Sequence, residues 1–148
     1  MVREPTRAAV EDMKVITSLI GENKRLGGKF RTRTRSLPSL INEVGIVPTL
    51  SFCYGKAGEK IYGQVKNHFY KIEKIEEGNE EEVGYALYLF IALNYLKELG
   101  LIDQTERVIE ALDQLFGKCE IASKLLRPYL LQVKRLAEAL FEPEREST

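Results

Sequence analysis

The chain has one histidine, two cysteines and no surplus of either charge. Each shortage removes a class of function. His68 lies beside Phe69 on an amphipathic stretch, with no visible partners for a catalytic triad or a metal shell. Cys53 and Cys119 stand far apart and match no ligand spacing. The N-terminus is charged and mixed, unlike a secretory signal, so free thiols in a reducing compartment are expected, and with them a soluble, cytoplasmic protein. The longest uncharged run, Val83 to Leu96, is too short to span a bilayer, which argues against a membrane partner. There is no P-loop, no dinucleotide glycine pattern and no nucleophile elbow. No catalytic residue, metal, cofactor or small-molecule substrate is expected.

What is present is charge in blocks. Lys plus Arg equals Asp plus Glu, at 22 each, yet basic residues crowd 24–35 and 118–135 while acids crowd 73–82. A polyanion would therefore meet one face of the molecule rather than its whole surface. A length of 148 residues fits one domain spanning 1–148, with a polar, frayed tail at 142–148.

The apolar periodicity is helical throughout. Pro5 suits a first turn, and Ala9, Met13, Ile16 and Ile20 keep one side of a helix expected to end before Gly27-Gly28. A second helix is expected from Lys29, with Phe30, Leu37, Ile41 and Val44 on one face. Pro38 predicts a kink or break in it, and Gly45 its cap. Pro48 opens a short helix with Leu50, Phe52 and Cys53, closed by Gly55 and Gly58; Ile61, Val65, Phe69 and Ile72 mark the next. Asn79 with Glu82 is a capped start, where first-turn carboxylates suit the helix dipole. From Val83 to Leu99 the chain is apolar nearly all round, which predicts a central helix stopped by Gly100. Asp103 and Glu106 repeat the capping pattern before Val108, Ile109, Leu112, Leu115 and Phe116. A last helix is expected from Glu120 to Phe141, interrupted or kinked at Pro128. The expected fold is all-α, a compact single-domain bundle of about six helices.

The basic blocks carry the candidate site. From Lys24 to Arg35 there are six cations, and no acid follows until Glu43. On a helix, Arg31 and Arg35 share one side while Lys29 and Arg33 take the opposite flank, all four expected to be exposed. Such an array suits a phosphate backbone, because each contact releases condensed counterions and Arg binds phosphate through two donors. The plainer alternative is a solvated face whose charges pair with acids such as the Glu73–Glu82 run. If the last helix is continuous, Lys124, Arg127, Lys134 and Arg135 fall within a quarter-turn, opposite Leu126, Leu130, Val133, Ala137 and Leu140. Two basic helices favour a track for extended RNA or DNA over a single small anion. Tyr54, Tyr62 and Tyr70 either stack on bases or pack in the core. A nuclease metal site on Glu76–Glu82 lacks a paired His or distant Asp, and a capped helix start explains those acids without one.

Phe30, Leu37-Pro38, Leu40-Ile41, Gly45-Ile46, Leu50-x-Phe52, Lys56 and Tyr62 together form a recognisable order. It resembles the small, all-helical fifth subunit of the Cmr complex, the type III-B CRISPR effector or RAMP module. The likeness extends over essentially the whole chain, with the motif on 30–62. Tyr129 to Ala139 is similar to that family's closing helix, without its tryptophan and with Leu126-Arg127-Pro128 in place of a Thr-Glu. The resemblance implies a non-catalytic structural subunit that stacks along a ribonucleoprotein filament. Its partners would be other Cmr subunits, further copies of itself, and crRNA and target RNA bound without regard to sequence; cleavage would belong to a neighbouring subunit. Lys29, Arg31, Arg33 and Arg35 would meet RNA phosphates, with Lys124, Arg127, Lys134 and Arg135 as a second set. The competing reading is a helical protein–protein scaffold that makes no nucleic-acid contact.

Overall fold

Seven helices and no strand account for the described residues, 2–103 and 107–144 of a computed structural model. In chain order they are α1 (Pro5–Ile20), α2 (Lys24–Val44), α3 (Ile46–Ala57), α4 (Glu59–Lys71), α5 (Glu80–Glu98), α6 (Val108–Gln114) and α7 (Cys119–Leu140). The expected all-α class holds, with one more helix than anticipated. The capping role expected of Glu106 and the end of the polar tail, 145–148, lie outside the described residues.

α5 is the axis. The Asn79 side chain accepts from the backbone N–H groups of Glu81 (2.9 Å) and Glu82 (3.2 Å), so the helix start is capped as the sequence predicts. Every residue from Val83 to Leu93 is then buried. A helix apolar on all sides needs neighbours on all sides. α2, α3, α4 and α7 supply them, and α1 packs outside on α7.

The helix boundary near Gly27-Gly28 requires correction. α1 ends at Ile20, where Gly21 takes a positive φ of 58°, and α2 already starts at Lys24. Asn23 caps it, accepting from the Leu26 N–H at 3.0 Å. Both glycines are therefore buried inside a helix, where each costs about 1 kcal/mol relative to alanine. Pro38 and Pro128 also sit inside unbroken helices, so neither breaks its helix. Six residues of the predicted apolar patterns, Val44, Phe52, Ile72, Ile109, Phe116 and Leu140, are exposed instead.

The start of the chain is tied down by charge. Arg3 donates to Glu98 from its backbone N–H (2.8 Å) and from its guanidinium (2.8–3.1 Å), and also reaches Glu11 and Asp12. The buried Tyr129 hydroxyl donates to Asp12 Oδ2 at 2.6 Å, and Tyr129 stacks on Tyr95 with centroids 4.3 Å apart. This knot joins α1, α5 and α7. Among the described residues no helix is long and apolar enough to cross a membrane.

Candidate nucleic-acid interface

Two contacts set how α7 passes α2. Phe141, just beyond α7, meets Phe30 edge-on at 6.1 Å, and Arg127 donates to Asn42 Oδ1 at 3.3 Å. The two helices therefore run antiparallel. Gly27 permits the first contact, since a Cβ there would lie 2.9 Å from the Phe141 ring. That close approach is the physical reason for glycine in mid-helix.

Helical spacing then assigns the cations to flanks. On α7, Arg127, Lys134 and Phe141 recur every seven residues and form one stripe toward α2. On α2, Arg31 lies on the stripe of Gly27 and Asn42, both of which meet α7 or its extension. Lys134 therefore stands across the seam from the turn that carries Arg31 and Arg35. Arg35 is exposed, while Arg31 and Lys134 are half-buried. Among the described residues, none of the three has a hydrogen bond or ion pair through its side chain, and neither do Lys124 or Arg135. The Arg31 Nε is buried without a partner. Glu138 lies one turn from Lys134 and pairs with none of them. Unbroken through Pro128, α7 keeps its basic ridge intact, with Leu131 exposed within it.

Both flanks of α2 differ from the expected exposure, since Arg31 on the first is half-buried rather than exposed. Lys29 and Arg33, predicted to be exposed, are half-buried. Arg33 packs over the Tyr85 ring, 4.4 Å from its centroid, and donates to the Tyr85 hydroxyl. Lys29 Nζ lies 2.6 Å from Glu144 Oε1 in the tail that follows α7. Arg25 pairs with Glu80 at 3.5 Å, so part of the acidic run does answer part of the basic one. The predicted set thus splits into an unpaired group along α2/α7 and an internally engaged group beside α5.

Sequence reasoning missed the aromatic neighbours of that second group. Phe52 is 43% exposed, meets Tyr85 edge-on at 5.6 Å and lies under Lys56 Nζ at 5.5 Å. The four-residue spacing of Phe52 and Lys56 was the available signal. Tyr54 and Tyr62 instead join Phe69, Tyr70 and Phe90 in a chain of ring contacts on α3, α4 and α5, the packing role. His68 donates from Nδ1 to the Glu73 carbonyl oxygen at 3.1 Å. Among the described residues, no three His, Cys, Asp or Glu side chains converge as metal ligands.

Comparison with known proteins adds the relatives. The family model for CRISPR-associated protein (Cas_Cmr5) matches residues 5–140. The CRISPR system CMR subunit Cmr5 of Saccharolobus solfataricus is 30% identical over 92% of each chain. A chain of the type III-B Cmr-beta complex bound to non-cognate target RNA, solved by cryo-EM, superimposes with a TM-score of 0.84 at 30% identity, over 97% of this chain and 99% of that one. A chain of the Cmr-beta complex bound to cognate target RNA and AMPPnP gives 0.82 at 31% identity, over 94% and 97%.

Proposed function

The chain belongs to the Cas_Cmr5 family of CRISPR-associated proteins, and from that premise we propose that it is a non-catalytic structural subunit of a type III-B Cmr complex that lines the path of its RNA. The observation that carries the RNA contact is the α2/α7 seam. Arg31, Arg35 and Lys134 lie along it with no side-chain ion pair among the described residues, and Arg127, Lys124 and Arg135 extend the row. A row of cations on two antiparallel helices offers a strand of phosphates repeated, equivalent contacts. Contacts to phosphate position a strand without reading its bases, so guide pairing would supply the specificity. The similar chains from complexes holding target RNA support the same reading.

The test is binding of the purified protein to a single-stranded RNA of a few dozen nucleotides across a salt series. Expected is an affinity that falls steeply with salt and is indifferent to sequence. Absence of binding at low salt would overturn RNA contact by the isolated chain. It would favour the second reading, a protein scaffold, for which the exposed Ile109 and Phe116 on and after α6 speak. Capture of neighbouring subunits that survives complete RNA digestion would then be the positive sign.

A further inference from the structure

The extended tail after α7 lies across the basic helix itself. Phe141 is anchored on Gly27 and Phe30, and the chain then crosses α2 to bring the Glu144 backbone within 3.3 Å of where a Gly28 Cβ would stand. Both oxygens of Glu144 are engaged. Oε1 lies 2.6 Å from Lys29 Nζ, and Oε2 accepts from the Thr32 hydroxyl at 2.6 Å. Arg33 lies close enough on the same flank to help hold Glu144 ionised, after the larger effects of Lys29 and Thr32. An ammonium and a hydroxyl aimed at two oxygens of one anion would serve the two non-bridging oxygens of a phosphodiester equally well.

We propose that Lys29 and Thr32 form a phosphate seat on α2 that the Glu144 carboxylate fills in cis, and that an RNA strand displaces it. The inference rests on the RNA-contact reading above and extends it to the second flank of α2. The latch is suited to yielding. It is one ion pair and one hydrogen bond, both reachable by solvent, and such contacts are weak, whereas a strand brings many phosphates at once. The anchor at Phe141 is apolar and remains, so only the segment 142–144 needs to lift.

The experiment compares RNA binding of the parent, Glu144→Gln, Lys29→Ala and the double variant in the same salt series. Glu144→Gln keeps the length of the side chain and removes the charge that competes with phosphate. It should bind RNA about two- to fivefold more tightly at low salt. Its slope of log K against log salt should steepen, by at most about 0.7, because the phosphate no longer displaces a carboxylate whose pair with Lys29 itself weakens in salt. Lys29→Ala should do little in the parent and cancel the gain in Glu144→Gln. If the parent binds with salt dependence and Glu144→Gln binds no better, the seat is wrong while the α2/α7 reading stands. If neither binds at any salt, both fall.

Discussion

The molecule holds two concentrations of charge, and they are built in opposite ways. At the junction of α1, α5 and α7, one cation, Arg3, faces Glu98, Asp12 and Glu11, and every partner is engaged. Along α2/α7, Arg31, Arg35 and Lys134 form no ion pair among the described residues, although Glu138 stands one turn from Lys134. The first arrangement buries Asp12, whose side chain is only 6% exposed, while Glu11 at its edge is 45% exposed, and burial of Asp12 is tolerable because the charge is paired. The second keeps Arg35 in solvent, where an unpaired charge costs little. The same residue type thus closes the fold in one place and stays open for a partner in the other. Exposure alone does not separate the two; the presence of a counter-charge does.

The sharpest way to break this contrast is to exchange the consequences. Arg3→Ala leaves Asp12 and Glu98 without their cation and should cost about 2–3 kcal/mol of stability, discounted for the quarter of the side chain that water reaches. Urea unfolding would measure it. Arg35→Ala should change stability by no more than about 0.5 kcal/mol. Charge reversal at both Arg31 and Arg35 should instead weaken RNA binding by about tenfold or more and flatten its salt slope, with the helical circular dichroism unchanged. A double reversal that binds RNA as well as the parent would remove the seam from the RNA path. Arg33 is the intermediate case, a cation held by an aromatic ring. Arg33→Lys keeps the charge but loses the flat stack on Tyr85, and should cost about 0.5–1 kcal/mol of stability with little effect on the salt slope.

What the sequence disclosed follows the same division. α5 was legible because its signals are local, an Asn79 cap and unrelieved apolarity from Val83 onward. The basic blocks were legible because absence of acid is visible in one dimension, and the unbroken α7 kept its ridge in register. Pairing was not legible. Arg3 and Glu98 lie 95 residues apart, and Tyr129 and Asp12 lie 117 apart, so only topology chooses them as partners. The misplaced start of α2 has the same origin. Gly27-Gly28 reads locally as a helix stop, but its use is to admit Phe141 and Glu144 from the far end of the chain. Lys29 and Arg33 were expected to be exposed because the tail and Tyr85 that cover them are distant in sequence.

The finest test of the contrast is pH, since the knot depends on the carboxylates of Asp12, Glu11 and Glu98. Burial pushes the Asp12 carboxyl above its usual value of 3.8, and the hydrogen bonds from Tyr129 and Arg3 only partly oppose it. Glu11 is held below its usual 4.5 by hydrogen bonds from Arg3 and then Arg7. At Glu98 burial acts upward, but the side-chain and backbone bonds from Arg3 outweigh it and the net shift is downward. The signs are opposed. A carboxyl raised by folding contributes stability below its unfolded value and loses it as pH rises through the folded one. A lowered carboxyl contributes above 4.5 and loses that as pH falls. In the parent, Asp12 therefore offsets part of what Glu11 and Glu98 give up on acidification. Asp12→Asn keeps an acceptor for Tyr129 but removes the offset, so its stability should fall more steeply than the parent's below about pH 5. Thermal melting across that range would decide it. A shallower fall in the variant would mean that the Asp12 carboxylate gains more from Arg3 than burial takes away, and the knot would then behave as a simple ion pair. Substitution of Arg35 should leave the acid limb parallel to the parent's, because its side chain makes no ion pair with a carboxylate among the described residues.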